Sequence, residues 1–182
     1  MSATDTATRA SVPQVPRAAV TDPDLVAVLD LADRVSSPKP AWYLTMAHNP
    51  GVATAFSHYW EPLHRGGLVD HRIKELGRIT ISRLLGCNFC ATQRSIPAME
   101  AGLSEDVIAV CDVPDFDHPD PRTRAAVRLA RTITLDDGHE DEVYAELHRV
   151  YSPEEIIELA AFFAMACGAI KLAKTLHIDA AV

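Results

Sequence analysis

Residues Asp70 to Cys90 read DHRIKELGRITISRLLGCNFC. The apolar residues of this stretch, Ile73, Leu76, Ile79, Ile81, Leu84 and Leu85, recur at helical spacing. Asp70 stands where a helix needs a side chain to accept from its first free backbone N–H groups. The pattern predicts a long helix that closes at Gly86 and leads into Cys87-Asn88-Phe89-Cys90. Glu75 lies on that helix, twelve residues before the first cysteine.

Outward from this stretch nearly everything reads as helix. Asp22-Pro23-Asp24 opens one that runs to about Val35. A short helix carries Trp42, Tyr43 and Met46, and another spans about Val52 to His64, placing Phe56, Tyr59, Trp60 and Leu63 together. A helix is expected from the cysteine pair to Ala101, with Gly102 as its stop and Pro97 bending it or ending it early. Ser104 caps a short helix to about Cys111, and Asp112 to Pro121 is a loop. Helices follow over Arg122 to Leu135 and Glu140 to Tyr151. Ser152-Pro153-Glu154-Glu155 is a strong start signal for a last, very apolar helix to about His177. No segment alternates as a strand would. Residues 1–21, rich in Ser, Thr, Ala and Pro, read as a flexible N-terminal arm, and 22–182 as a single domain.

Bulk properties narrow the function. The 182 residues suffice for one domain with a buried core. A net charge of −8 argues against nucleic acid and anionic membranes as partners. The longest apolar run, Leu159 to Ile170, is too short for a bilayer and is flanked by charge. Met1 to Arg17 has no apolar stretch of the secretion type. A cytoplasmic location is expected, where a Cys-x-x-Cys pair points to redox or metal chemistry rather than a permanent staple.

The pair itself admits three readings: a redox-active dithiol, two packed small apolar residues, or half of a zinc site. Zinc needs further ligands, and Cys111 and Cys167 stand alone as core cysteines, so neither metal nor cofactor is expected. At a helix start, free N–H groups would favour a thiolate. Cys90 and Arg94 are spaced to share a helix face, so Arg94 would add positive charge. Arginine cannot relay a proton. Glu75 could accept the thiol proton or pair with Arg94, although read alone it is a solvated helix residue. His58, His64 and His71 read as surface or capping histidines, and the aromatic group Trp42, Tyr43, Phe56, Tyr59 and Trp60 as core in preference to a cavity lining.

Glu75, Cys87-x-x-Cys90, Gly102-Leu103-Ser104 and the helical tail together resemble the carboxymuconolactone decarboxylase/alkylhydroperoxidase D-type (AhpD-like) superfamily. The approach from Gly66 to Leu76 is also similar, and the resemblance covers about Pro50 to Ile178. It implies an all-α bundle of about eight helices that assembles as a homo-oligomer, a trimer or hexamer. It implies a thiol-dependent peroxidase or disulfide reductase in which Cys90 attacks a hydroperoxide, Cys87 resolves it as a disulfide and Glu75 is the base. A dithiol reductant would be the partner. The family's relay histidine, four residues after the second cysteine, is replaced by Arg94. Two alternatives stay open. One is a non-redox enzyme acting on a small acidic or lactone substrate, with Glu75 as base and Arg94 as anchor. The decarboxylase branch, however, typically lacks the cysteine pair that this chain keeps. The other is a non-catalytic oligomer that senses redox state.

Overall fold

The computed structural model describes residues 10–178. Among them are ten α-helices, one 3-10 turn (Arg17–Ala19) and no strand. The helices are α1 (Pro23–Val35), α2 (Pro40–Met46), α3 (Pro50–His64), α4 (His71–Leu84), α5 (Asn88–Ala91), α6 (Ile96–Glu100), α7 (Glu105–Val110), α8 (Pro121–Leu135), α9 (Glu140–Leu147) and α10 (Pro153–Thr175). Short polar caps set the boundaries. Asp22, Asp70, Ser104 and Asp120 each accept a backbone N–H at the start of α1, α4, α7 and α8. Ser152 and Glu155 form the reciprocal capping box that starts α10.

The count exceeds the expected eight chiefly because the helix after the cysteines divides. α5 stops at Ala91, and α6 begins at Ile96 with Pro97 in its first turn. A proline has no N–H to give and its ring blocks the preceding turn, so it is accommodated where a helix starts. The break between them, residues 92–95, lies beside α4 and matters for the site below.

α4 is the axis of the molecule and packs chiefly on α8 and α10. The sequence reads as a one-sided helix, yet all ten residues from Ile73 to Ser82 are buried. Its polar groups survive burial because each is paired. Lys74 reaches the Gly66 carbonyl and Glu158, the latter at 2.8 Å. Thr80 and Ser82 donate to carbonyls one turn back. Gly77 lets α10 approach: a Cβ there would overlap the ring of buried Phe163. α10 runs 23 residues, longer than its apolar core segment suggested, and is apolar enough to cross a membrane by length and composition. Its contacts with α3, α4, α5 and α8 account for that composition as the centre of a helical bundle. Leu159, Phe162 and Phe163 are fully buried within the chain, so they are core residues and not interface.

Of the expected N-terminal arm, residues 1–9 lie outside the described residues. From Ser11 onward the chain is laid on the body. The Ser11 N–H donates to the Leu176 carbonyl, that of Val15 to Leu44, and Arg17 pairs with Asp30 and Asp33.

Candidate active site

Cys87 ends the turn after α4 and caps α5, its sulfur accepting the Cys90 N–H at 3.4 Å. The two Cα atoms are 5.3 Å apart and the sulfurs are joined as a disulfide. Both cysteines are buried. The expected thiolate stabilisation by a long helix does not apply, because α5 is a single turn and its dipole is correspondingly small. The charge that reaches the Cys90 backbone comes instead from α4.

That charge is Arg78, one turn beyond Glu75. Its guanidinium grips the Glu75 carboxylate through Nε (2.8 Å) and Nη2 (2.9 Å). The same group donates to the Cys90 carbonyl (2.7 Å) and the Gln93 carbonyl (3.0 Å). Glu75 Oε1 also accepts the Ser95 N–H at 2.8 Å, and Oε2 accepts from His64 at 2.9 Å. The pair thereby clamps the whole stretch from Cys90 to Ser95 onto α4. The clamp is dry: Glu75 is 0% exposed and Arg78 is buried with it. Burial alone would raise the Glu75 pKa, but the Arg78 charge and the hydrogen bonds from His64 and Arg78 hold it well below the ordinary carboxylate range.

Two expectations are corrected by this geometry. Glu75 is no free base: both oxygens carry two partners each, none of them a cysteine sulfur. Arg94 does not share a face with Cys90. It lies in the break between α5 and α6, turned toward α7, where Nε donates to Glu105 at 2.8 Å, and it does not line the cavity beside Cys90. The i, i+4 argument fails because the helix it presumed is not continuous.

The imidazole near the glutamate is His64, at the end of α3. It is 0% exposed, unlike the surface role expected of it. Trp60 Nε1–H, a donor only, bonds its Nδ1 at 3.0 Å, so the proton sits on Nε2 and is donated to Glu75. Burial depresses its pKa, keeping the ring neutral. His71 donates from Nδ1 to the His64 carbonyl and accepts from Ser95 Oγ, both at 2.7 Å. Burial and the neighbouring His64 pull its pKa down to about 4. His58 is exposed.

A cavity of about 30 Å³ lies beside Cys90. Arg78, Phe89 and Gln93 form its floor with Cys90, and Ala169, Ile170 and Ala173 of α10 form one side. Ser37, Pro38, Trp42, Phe56 and Trp60 form the other. The aromatic group is therefore core and lining together, except Tyr59, which is half exposed. Sequence reasoning missed Arg78, Gln93, Ser37 and His64. Only Arg78 left a signal, its i, i+3 spacing from Glu75.

Residues 50–132, which carry Glu75, Arg78 and both cysteines, match the model of the Carboxymuconolactone decarboxylase family. Over that segment the chain is similar to the carboxymuconolactone decarboxylase family. The structure of the debrominase Bmp8 is similar at 22% identity, covering 94% of this chain and 97% of that one, with a TM-score of 0.77. An AhpD-core, peroxidase-related protein from Ralstonia eutropha JMP134 is similar at 23% identity, covering 91% and 89%, with a TM-score of 0.70. At these identities the likeness is one of fold. No curated protein matches the chain.

Proposed function

We propose that the chain is a thiol-dependent hydroperoxidase acting through Cys90 and Cys87. The observation that carries this reading is that Cys90 lines a small cavity while sitting within disulfide distance of Cys87. In the reduced protein the Cys90 thiolate attacks the terminal oxygen of a hydroperoxide. An S–O bond forms, the O–O bond breaks, and the electron pair leaves on the alkoxide, which takes a proton to become the alcohol. Cys87 then attacks the sulfenic acid, forming the disulfide and releasing water. A dithiol reductant restores both thiols and is itself oxidised.

In this reading Arg78 supplies the fixed positive charge beside the nucleophile, and Glu75 orients Arg78. Arg94 and Glu75 do not support the alternative of an acidic or lactone substrate, since one faces Glu105 and the other is fully engaged. A second reading has a specific observation in its favour. The aromatic walls Trp42, Phe56, Trp60 and Phe89 suit a flat apolar ring, and Bmp8 has been solved, as a cysteine-to-alanine variant, with 2,3,4-tribromopyrrole. The cavity as it stands favours the smaller hydroperoxide. A homo-oligomer, trimer or hexamer, belongs to the proposal. Leu68 and Ile157, exposed on either side of the Glu158 contact with the Leu68 N–H, are apolar surface that supports it. Light scattering of the reduced and oxidised protein tests that part.

The test of the activity is turnover of ethyl hydroperoxide, small enough for the cavity, with dithiothreitol as reductant. Cys90→Ser is expected to abolish it, and Cys87→Ser to leave a Cys90 sulfenic acid that dimedone labels. Equal turnover in both variants and wild type would refute the assignment. Bromide release from a brominated pyrrole without peroxide consumption would favour the second reading.

A further inference from the structure

Resting on the hydroperoxidase reading, the geometry points to Trp42 Nε1–H and Ser37 Oγ–H as the hydrogen-bond donors that orient the hydroperoxide in the cavity and stabilise its departing oxygen.

Neither Ser37 Oγ nor Trp42 Nε1 has a hydrogen-bond partner among the described residues, and both atoms are shut off from the surface. A buried donor without an acceptor costs stability, so each such group needs a reason. Native proteins contain a few of them, and Tyr43 Oη and Gln14 Nε2 are two others here, outside the cavity lining. What sets Ser37 and Trp42 apart is that both line the one small cavity that Cys90 also lines. Trp42 carries an N–H that can only donate.

The other polar groups of the cavity are engaged apart from one amide hydrogen of Gln93. Arg78 gives its N–H groups to Glu75, Ser82 and the carbonyls of Cys90 and Gln93. Gln93 spends its oxygen on the Lys39 N–H and one amide hydrogen on the Phe89 carbonyl, and keeps its second amide hydrogen uncommitted. Arg78 therefore contributes charge, and the groups left wholly unpartnered to donate to a bound oxygen are Trp42 and Ser37. The two are held in place. Arg65 Nη1 bonds the Ser37 carbonyl at 2.7 Å, and the Lys39–Gln93 bond at 2.9 Å ties the same loop to the cysteine segment. Donors fixed in a dry site before the reaction are the arrangement that stabilises charge developing on a leaving oxygen. They supply what the missing relay histidine would have supplied as a hydrogen bond. The proton that turns alkoxide into alcohol comes from water.

The experiment compares wild type, Trp42→Phe and Ser37→Ala, each pre-reduced. Two rates are measured for each by stopped flow with intact-mass readout: oxidation by ethyl hydroperoxide, and reaction with an aromatic disulfide (5,5′-dithiobis(2-nitrobenzoic acid)), which releases a stabilised thiolate. The hydroperoxide rate is expected to fall roughly a hundred- to a thousandfold in each variant, the scale of losing one such donor, with the disulfide rate unchanged. Ser37→Ala removes an unpaired hydroxyl and should leave the melting temperature unchanged or higher. Variants that react with peroxide like wild type overturn the inference alone. So do variants in which both rates fall together, which would mark a packing role. A wild type that reacts with the disulfide but with no hydroperoxide overturns the hydroperoxidase reading, and this inference with it.

Discussion

Two arginines close to the cysteines in sequence have opposite places in the structure. Arg94 pairs with Glu105 where the two side chains are 25% and 61% exposed, and such a pair contributes about 0–1 kcal/mol. Arg78 is buried on buried Glu75, and removing one partner of a dry ion pair costs about 3–5 kcal/mol because the other is left uncompensated. Arg94→His should therefore change stability by less than about 1 kcal/mol and should not raise peroxide reactivity. Arg78→Met should lower stability by about 3–5 kcal/mol and slow Cys90 oxidation, since it releases the Cys90 and Gln93 carbonyls. Urea unfolding and stopped-flow oxidation of the two variants check both statements. Faster oxidation in Arg94→His would contradict this placement. The sequence showed the cysteine pair and Glu75 because they form a spaced motif. It did not show that Glu75 is consumed by Arg78, because partner choice depends on where the chain folds back. His64 was illegible for the same reason: it reaches Glu75 from another helix, eleven residues away, with no periodic signal.

At the scale of helices, capping residues and apolar spacing made most of the bundle readable. α1, α4, α7 and α10 start at Asp22, Asp70, Ser104 and Ser152 as their local chemistry dictates. Two features escaped. The division of the cysteine helix into α5 and α6 was signalled only by Pro97, and a proline fixes that a helix is interrupted better than where. The complete burial of α4 was hidden by its charged residues, which pattern reading assigns to solvent. Gly77 is the local cause of that burial, for it lets α10 pack closely on α4. Gly77→Ala gains about 1 kcal/mol in helix propensity. It also drives a methyl group into the Phe163 ring, and overpacking of this kind costs about 1–3 kcal/mol. The net expectation is a loss of about 0–2 kcal/mol in chemical denaturation. A gain in stability would show that α10 shifts freely, against the packing described.

For the molecule as a whole, acid sensitivity follows from the histidines enclosed between α3 and α4. Unfolded histidines bind protons near their ordinary value of 6.5, whereas His71 binds one only at about 4 and His64 is also depressed. Between those values the unfolded chain holds more protons, so stability falls as pH falls. Glu75 has the same sign but acts lower: its stabilisation begins to be lost as pH falls into the ordinary carboxylate range, where the unfolded side chain takes up its proton, and continues to fall below that range. The urea midpoint should be level above about pH 7 and decline from about 6.5 toward 4. His71→Gln should flatten that decline, and an unchanged slope would show that His71 titrates normally.

The central claim is that Cys87 and Cys90 form a peroxide-reactive pair. Its most direct measurement is the intact mass of the fully reduced protein during a stopped-flow reaction with one equivalent of an alkyl hydroperoxide. The expected result is rapid loss of two hydrogens from wild type, and no such loss when either cysteine is serine. A wild type that keeps both hydrogens while an aromatic disulfide oxidises it readily would contradict the claim and leave the pair a dithiol for some other electrophile.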